Sequence, residues 1–552
     1  MNKKWQICET DKEKVDELKS KYNISELLAT ILVNKNITTQ KEINEFLNPT
    51  RNDFFDPFLM NDMDIAIKRI KKAIENQEKV IIYGDYDVDG ITSITVLKSF
   101  LKDVGLDVDY YIPNRLEEGY GLNKNAIDEI AKKEYKLMIT VDCGISAIEE
   151  VDYANSLGIE VIITDHHEPG DEIPKALAVV DNKRKDNKYP FRELAGVGVA
   201  FKVSQALAQS MNIREEEYLK YLDIVCVGTI SDIVPLVSEN RVITKLGLKL
   251  VKQTRNMGLR AIINSSGYSQ INSTTISFGV APRINACGRM GKAEQALKLL
   301  LSKDIYEVNK LTQELNSYNR ERQEIEKEIF ENVLTKIEQN NLAKNRTIVV
   351  GGENWHHGVI GIVSSKITEK YFKPSILLSF EEDGTGKGSG RSIPGFDLHE
   401  ALMKCENCLE KFGGHSMAVG LTIKKENLEQ FYKEFEKIAE ENEIENIIPI
   451  INVDAKIELD KIDKSVVEDL KQLEPFGEAN KTPTFALKNI RIDSIRALSE
   501  GTLAPMGVPC IEITNTNDDF AWLVQWIECI LQVELWKPCC HATIGHMYRE
   551  IA

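Results

Sequence analysis

Between residues 65 and 167 short apolar runs alternate with amphipathic stretches, a rhythm that few folds accommodate. "VIIY" (80–83), "DVDYYI" (107–112), "KLMITV" (136–141) and "IEVIIT" (159–164) read as strands. Residues 65–76, Thr92 to about Asp103, 123–133 and 145–157 read as the helices between them. Strands and helices in this order predict βαβ units and a mainly parallel sheet. In such a sheet the working crevice lies beyond the carboxyl ends of the strands.

Three of those strand ends carry unusual chemistry. The first runs into "YGDYDVDG", with Asp85, Asp87 and Asp89 at alternate positions. If the segment stays extended, all three point the same way. Two carboxylates about 5 Å apart repel by roughly 3 kcal/mol at an effective dielectric near 20, so a cation is the natural partner. The strand 137–141 ends in Asp142, and the strand 160–164 in Asp165, His166 and His167. One acidic turn is an ordinary helix cap; three at corresponding strand ends are not. Mixed Asp/His ligation favours Mn²⁺, with Mg²⁺ open. The donors suffice for two ions sharing a bridging carboxylate, an arrangement suited to in-line displacement at phosphorus. "GTISDIVPL" (228–236) adds Asp232, as a further ligand or a helix cap.

Farther along, residues 200–211 and 214–227 read as helices. Residues 305–340 carry Leu311, Leu315, Ile325, Ile329, Val333 and Ile337 among charges, which predicts a long amphipathic connector. A second α/β region follows, with strands at "RTIVVGG" and "SILLSF" and helices at 358–371 and 427–443. There "DGTGKGSGRS" (383–392) sets four glycines beside Lys387 and Arg391. It reads equally as a phosphate-approaching loop or a hairpin, and it is not a Walker sequence, because glycine follows Lys387. "FGGHSMAVG" (412–420) offers His415. "APRINACGRM" (281–290) offers Arg283 and Arg289, for the same groove or for salt bridges. Cys405 and Cys408 form a lone CxxC with no second pair, a structural feature. Residues 448–495 alternate like short strands.

With 42% hydrophobic and 28% charged residues, this is an ordinary soluble globular composition. No apolar run suits a bilayer or a secretory signal, so a cytoplasmic address without membrane contact is expected. A formal charge of −17 excludes a generally basic coat but not a local basic groove for nucleic acid. The ten scattered cysteines fit a reducing compartment. Residues 501–552 hold one lysine, four of the ten cysteines and three of the five tryptophans. This break in composition is read as a frame change that leaves the last domain incomplete, with a divergent terminal domain as the alternative.

"GDYDVDG", "VDCG", "TDHH" and "GTISDIVPL" resemble the four motifs of the DHH phosphoesterases, and "GSGRS" and "FGGHSMAVG" resemble the associated DHHA1 domain. "PNRLEEGYGLN" (113–123), "LAGVGVAFK" (194–202) and "APRINACGRM" narrow the resemblance to the branch of single-strand-specific 5′→3′ DNA exonucleases. It covers about residues 50–495. The implied plan is a helical extension (1–50), a parallel-sheet DHH catalytic domain (51–300), a connecting helix (301–343), an α/β DHHA1 substrate-binding domain (344–446) and a partial OB-like β domain (447–552). Within the last of these, "LEPFGEANKTPTF" (473–485) carries the match. The family's first motif opens with histidine; here that position is Tyr83, and Asp85 stands in as ligand.

The resemblance further implies that Asp85, Asp87, Asp89, Asp142, His166 and Asp232 bind two ions, Mn²⁺ or Mg²⁺, with Asp142 bridging. His167 stands by the scissile phosphate and Asp165 orients its neighbours. Arg115, Arg283, Arg289, Arg391, Ser392 and His415 are implied to bind substrate, with Tyr111, Tyr120, Trp355 and Phe396 available to stack on bases. Single-stranded DNA is the implied substrate, and a single-strand-binding protein or helicase the implied partner. Two other readings stand beside it: a phosphodiesterase for short oligonucleotides or cyclic dinucleotides, and a non-catalytic DNA-binding scaffold.

Overall fold

A computed structural model describes residues 4–458, 461–462, 464–486 and the backbone of two strands, Ser494–Leu498 and Cys510–Thr514, which pair antiparallel. Apart from the second of these strands, the tail singled out by its composition lies outside the described residues.

The first sheet has five strands, all parallel, in the spatial order Asp109–Tyr111, Val80–Gly84, Leu137–Val141, Glu160–Asp165, Ala178–Asp181. The three central strands are almost wholly buried, which is why they read as unbroken apolar runs. The fifth strand was not anticipated. Register sets Gly84 opposite Val141, Val141 opposite Thr164 and Asp165 opposite Asp181, so the acidic strand ends meet at one rim.

The acidic segment is not extended. Strand Val80–Gly84 stops, and a helix starts at Val88 rather than near Thr92. Asp87 causes this: its carboxylate accepts hydrogen bonds from the backbone N–H groups of Asp89 (2.8 Å) and Gly90 (3.1 Å), capping helix Val88–Asp103. Asp85 thus sits in the turn, Asp87 at the cap and Asp89 in the first helical turn.

The helix Ile305–Gln339 spans two cores. Val308, Leu311 and Leu315 join the first sheet's core, whereas Ile329, Val333 and Ile337 pack with Ile348, Val350, Val359 and Ile367. Each such side chain contributes roughly 1.5–3 kcal/mol by burial. Between the two apolar stretches Asn319, Arg322 and Glu326 interrupt the stripe: Arg322 donates to both of the others, and Lys366 forms an ion pair with Glu326.

The second sheet runs Lys411–His415, Ala418–Lys424, Thr385–Arg391, Ser375–Phe380, Ile348–Glu353; only the last two strands pair in parallel. The glycine-rich stretch is therefore not a free loop: Asp383 and Gly384 turn an antiparallel hairpin with strand Ser375–Phe380, and the rest is its second arm. It is the central strand, and its glycines admit the large side chains of Phe380, Leu378 and Val419 against the backbone.

Residues 4–47, expected as an extension, do not stand alone. Strand Lys4–Ile7 pairs in parallel with Ile450–Val453. The helices Lys12–Tyr22, Glu26–Asn34 and Gln40–Leu47 share one core with Ala455, Val466, Leu470, Leu473 and Phe485. Among the described residues no helix is long and apolar enough to cross a membrane.

Candidate metal centre

Six side chains from four elements meet at the rim of the parallel sheet. Ligand atoms of Asp85, Asp87 and Asp142 lie within 4.8 Å of one another, and so do those of Asp89, His166 and Asp232. Asp142 adjoins both groups. His166 Nε2 lies 3.1 Å from Asp142 Oδ1, 3.6 Å from Asp232 Oδ2 and 3.7 Å from Asp89 Oδ2.

Each position has a local cause. Asp142 follows strand Leu137–Val141 directly and has φ +60°, a turn that lifts its side chain over the rim. Asp89 is buried, and it accepts hydrogen bonds from the backbone N–H groups of Gly196 (2.6 Å) and Val197 (2.9 Å), which open helix Gly196–Ser210. Only glycine fits at 196: a Cβ there would stand 2.7 Å from Asp142 Oδ1. Asp232 ends helix Leu222–Ser231. Asp165 is fully buried and accepts from the backbone N–H groups of Ile145, His166 and His167 and from His167 Nδ1 (2.7 Å). It braces the two histidines, and it is absent from the convergent groups.

The electrostatics are those of a site built for cations. Burial, reinforced by the Asp87 charge, pushes the Asp89 carboxyl up to about 7. Burial and neighbouring carboxylates likewise raise Asp85, Asp142 and Asp232 well above the usual carboxylate range. Burial drives His166 down to about 3, leaving a neutral imidazole fit to ligate. His167 moves the other way: burial opposes its charge, but the hydrogen bond to Asp165 together with the charges of Asp165, Asp89 and Asp85 outweighs that and favours the imidazolium. Asp85 Oδ1, Asp142 Oδ1 and His166 Nε2 are buried with no hydrogen-bond partner. Orphaned acceptors of this kind are costly unless something else fills the space. Carboxylate oxygens with one imidazole suit Mn²⁺ and Mg²⁺, so the donor set fits a pair of hard divalent ions.

Tyr83 is wholly buried; it stacks on Tyr111, with ring centroids 5.1 Å apart, and donates to the Gly121 carbonyl. Asp85 reaches the cluster in its place.

The candidate substrate residues divide. The Arg115 guanidinium lies 4.9 Å over the Tyr86 ring. Arg289 donates to the Gly358 carbonyl across the interface (2.8 Å), and burial with the nearby charges of Arg115, Arg322 and Arg391 pulls it down to about 10. Burial and Arg115 also lower Arg391. Like charges are thus concentrated between the two lobes, on the side where Arg289 feels Asp87. His415 is exposed at the end of its strand.

Two residues belong elsewhere. Arg283 is committed to Asn316 Oδ1 and the carbonyls of Gly279 and Ser265, pinning its helix to the connector. Ser392 is buried, and its hydroxyl donates to the Phe396 carbonyl (2.7 Å) in a turn. Among the aromatics, Phe396 is core and Tyr111 is engaged with Tyr83 and Glu118. Tyr120 is different: half exposed, its hydroxyl lies 3.3 Å from His167 Nδ1 and 3.4 Å from the Asp142 carbonyl. Arg322 escaped notice in the sequence, although the polar break it makes in the connector's apolar stripe marks the place.

Family models match three stretches: the DHH family, N-terminal domain, over residues 79–229; the DHHA1 domain over 344–441; and the RecJ OB domain over 453–505. The chain is 40% identical over 499 residues to the single-stranded-DNA-specific exonuclease RecJ of Bacillus subtilis (strain 168), covering 90% of this chain and 63% of that relative. It is 32% identical to the protein of that name from Dickeya dadantii (strain 3937), covering 83% of each. The crystal structure of RecJ from Thermus thermophilus in complex with Mn²⁺ superposes with a TM-score of 0.80 at 28% identity, over 93% of this chain and 74% of that one. Its complex with Mg²⁺ gives 0.73 at 27% identity, over 93% and 73%.

Proposed function

Because this chain belongs to the RecJ family of single-stranded-DNA-specific exonucleases, we propose that it hydrolyses single-stranded DNA from the 5′ end to mononucleotides, in repair and recombination. One observation carries the reading: two groups of ligand side chains converge beside a shared Asp142, and among them Asp85 Oδ1, Asp142 Oδ1 and His166 Nε2 are buried without a hydrogen-bond partner.

In this reading Asp85, Asp87 and Asp142 hold one divalent ion, and Asp89, His166 and Asp232 hold the other beside Asp142. Bound there, Mn²⁺ or Mg²⁺ supplies an activated water and charge stabilisation at phosphorus. The protein does the rest. His167, fixed through Nδ1 by Asp165, turns Nε2 toward the substrate as a donor to the scissile phosphate. Arg115 and Arg289 from the DHH lobe and Arg391 from the DHHA1 side bind backbone phosphate, with His415 at the nucleotide end. Arg283 and Ser392 drop out of the substrate set, for the reasons of geometry given above. The connecting helix holds the two lobes about a cleft sized for one strand. A cytoplasmic location, and a single-strand-binding protein or helicase that delivers free 5′ ends, complete the reading.

Digestion of 5′-labelled single strands, duplexes, dinucleotides and cyclic dinucleotides with and without Mn²⁺ tests it. Mn²⁺-dependent release of mononucleotides from single strands alone is the expected result. Preference for the short substrates supports a phosphodiesterase instead, and DNA binding without cleavage a scaffold.

A further inference from the structure

We propose that the turn Leu473–Asn480 is a positioning element for Asp232, so that the body formed by residues 4–47 and 450–486 acts on metal binding and not only on DNA. This rests on the reading of Asp232 as a ligand.

The loop that follows Asp232 is strained. Ile233 is β-branched, has φ +60° and is 71% exposed, so no burial offsets a conformation that costs of order 1–3 kcal/mol. Such a residue persists only where its surroundings over-determine it. The helix end takes part, Asp232 N–H donating to the Gly228 carbonyl (2.9 Å) and Ile233 N–H to that of Ile230 (3.4 Å), and the loop beyond is held from the far end of the chain. The Leu236 N–H donates to the Glu478 carbonyl (2.8 Å). The Leu236 side chain, 2% exposed, fills the space left by Gly477: a Cβ at 477 would stand 2.5 Å from Leu236 Cδ1. Asn480, wholly buried, closes the turn by donating to the carbonyls of Leu473 (2.9 Å) and Pro475 (2.8 Å).

The turn is itself anchored. Arg241, in the helix Ser238–Val251 that begins just past the loop, is 1% exposed and stands 3.7 Å over the Phe46 ring. It donates to the carbonyls of Phe46 (2.5 Å), Leu473 (3.0 Å) and Glu474 (3.1 Å). A guanidinium buried among carbonyls, with no carboxylate paired to it among the described residues, fixes relative placement. From the catalytic lobe's own side, Asn240 Nδ2 holds the Pro235 carbonyl (3.0 Å). Asp232 is therefore aimed by a loop gripped at Pro235 from within and at Leu236 from the remote body.

The test uses Gly477→Ala, which forces Leu236 aside, and Leu236→Ala, which removes the seated side chain, each in the full chain. Thermal melts identify folded variants. Binding of Mn²⁺ is followed by the electron paramagnetic resonance of the free ion, with Asp232→Asn as the reference for loss of one site. Affinity at one of two sites should fall by about tenfold, the lower end for substitutions that support a metal ligand, while KM for DNA at saturating Mn²⁺ stays unchanged. A folded Leu236→Ala protein that binds two ions as the wild type does overturns the proposal. Identical Mn²⁺ binding by wild type and Asp232→Asn overturns instead the ligand role on which it rests.

Discussion

His166 Nε2 stands 3.1 Å from Asp142 Oδ1, and neither atom makes a hydrogen bond. Two buried groups so close and unpartnered share the edge of a space that a small divalent cation would satisfy.

Asp142→Ala should end hydrolysis while leaving the fold intact. The loss should exceed the roughly 10²–10³-fold that removing one preorganised donor costs, because both ions lose a ligand. Thermal unfolding without metal should be unimpaired, since the change also removes a carboxyl that its neighbours repel. Substantial turnover by the folded variant contradicts the bridging role.

Stabilisation by Mn²⁺ should grow as pH rises from about 6 to 8. Asp89 keeps its proton up to about 7, whereas an unfolded Asp loses it at about 4. In the metal-free protein this contribution to stability is complete below about pH 4 and is lost as pH rises through 7. Bound Mn²⁺ displaces that proton, so the melting temperature gained on adding metal increases across the same window. Melting curves with and without Mn²⁺ over this range check it; a pH-independent gain refutes it.

Arg391→Ala should weaken binding to single-stranded DNA and make the salt dependence shallower by about one charge. Its guanidinium lies in the arginine-rich gap, where burial and Arg115 already strain its charge. Binding isotherms at several salt concentrations measure the slope, and an unchanged slope removes Arg391 from the phosphate path.

Tyr120→Phe should slow turnover about fivefold with little change in KM, the equivalent of one lost hydrogen bond of about 1 kcal/mol. The hydroxyl touches His167 Nδ1 and the Asp142 carbonyl, so its loss loosens a side chain placed at the phosphate. Steady-state kinetics at saturating Mn²⁺ decide; a rise in KM alone assigns the ring to base contact instead.

The rim of the first sheet was legible because buried parallel strands read as apolar runs and their acidic ends stand out against them. The start of the helix at Val88 was not, since period-two spacing of Asp85, Asp87 and Asp89 mimics a strand until Asp87 is recognised as a cap. Strand Ala178–Asp181 is four residues long and gives too little pattern to see. The central strand Thr385–Arg391 hid behind glycines that are poor strand formers but fit under Phe380 and Leu378. The family resemblance proposed Arg283 and Ser392 for substrate; which carbonyl each would face is a tertiary fact that motifs do not encode.

The union of the first three helices with residues 455–485 in one core also bears on how the chain is made. On the ribosome Leu47 emerges long before Phe485, and at about 5–20 residues per second the interval is roughly 20–90 s. Through that time the core of the first three helices, Leu28, Ile31 and Leu32 among it, lacks the part of its cover that residues 455–485 supply. Nascent chains halted before residue 450 should therefore bind chaperones through their first 47 residues and shed them once synthesis passes 485.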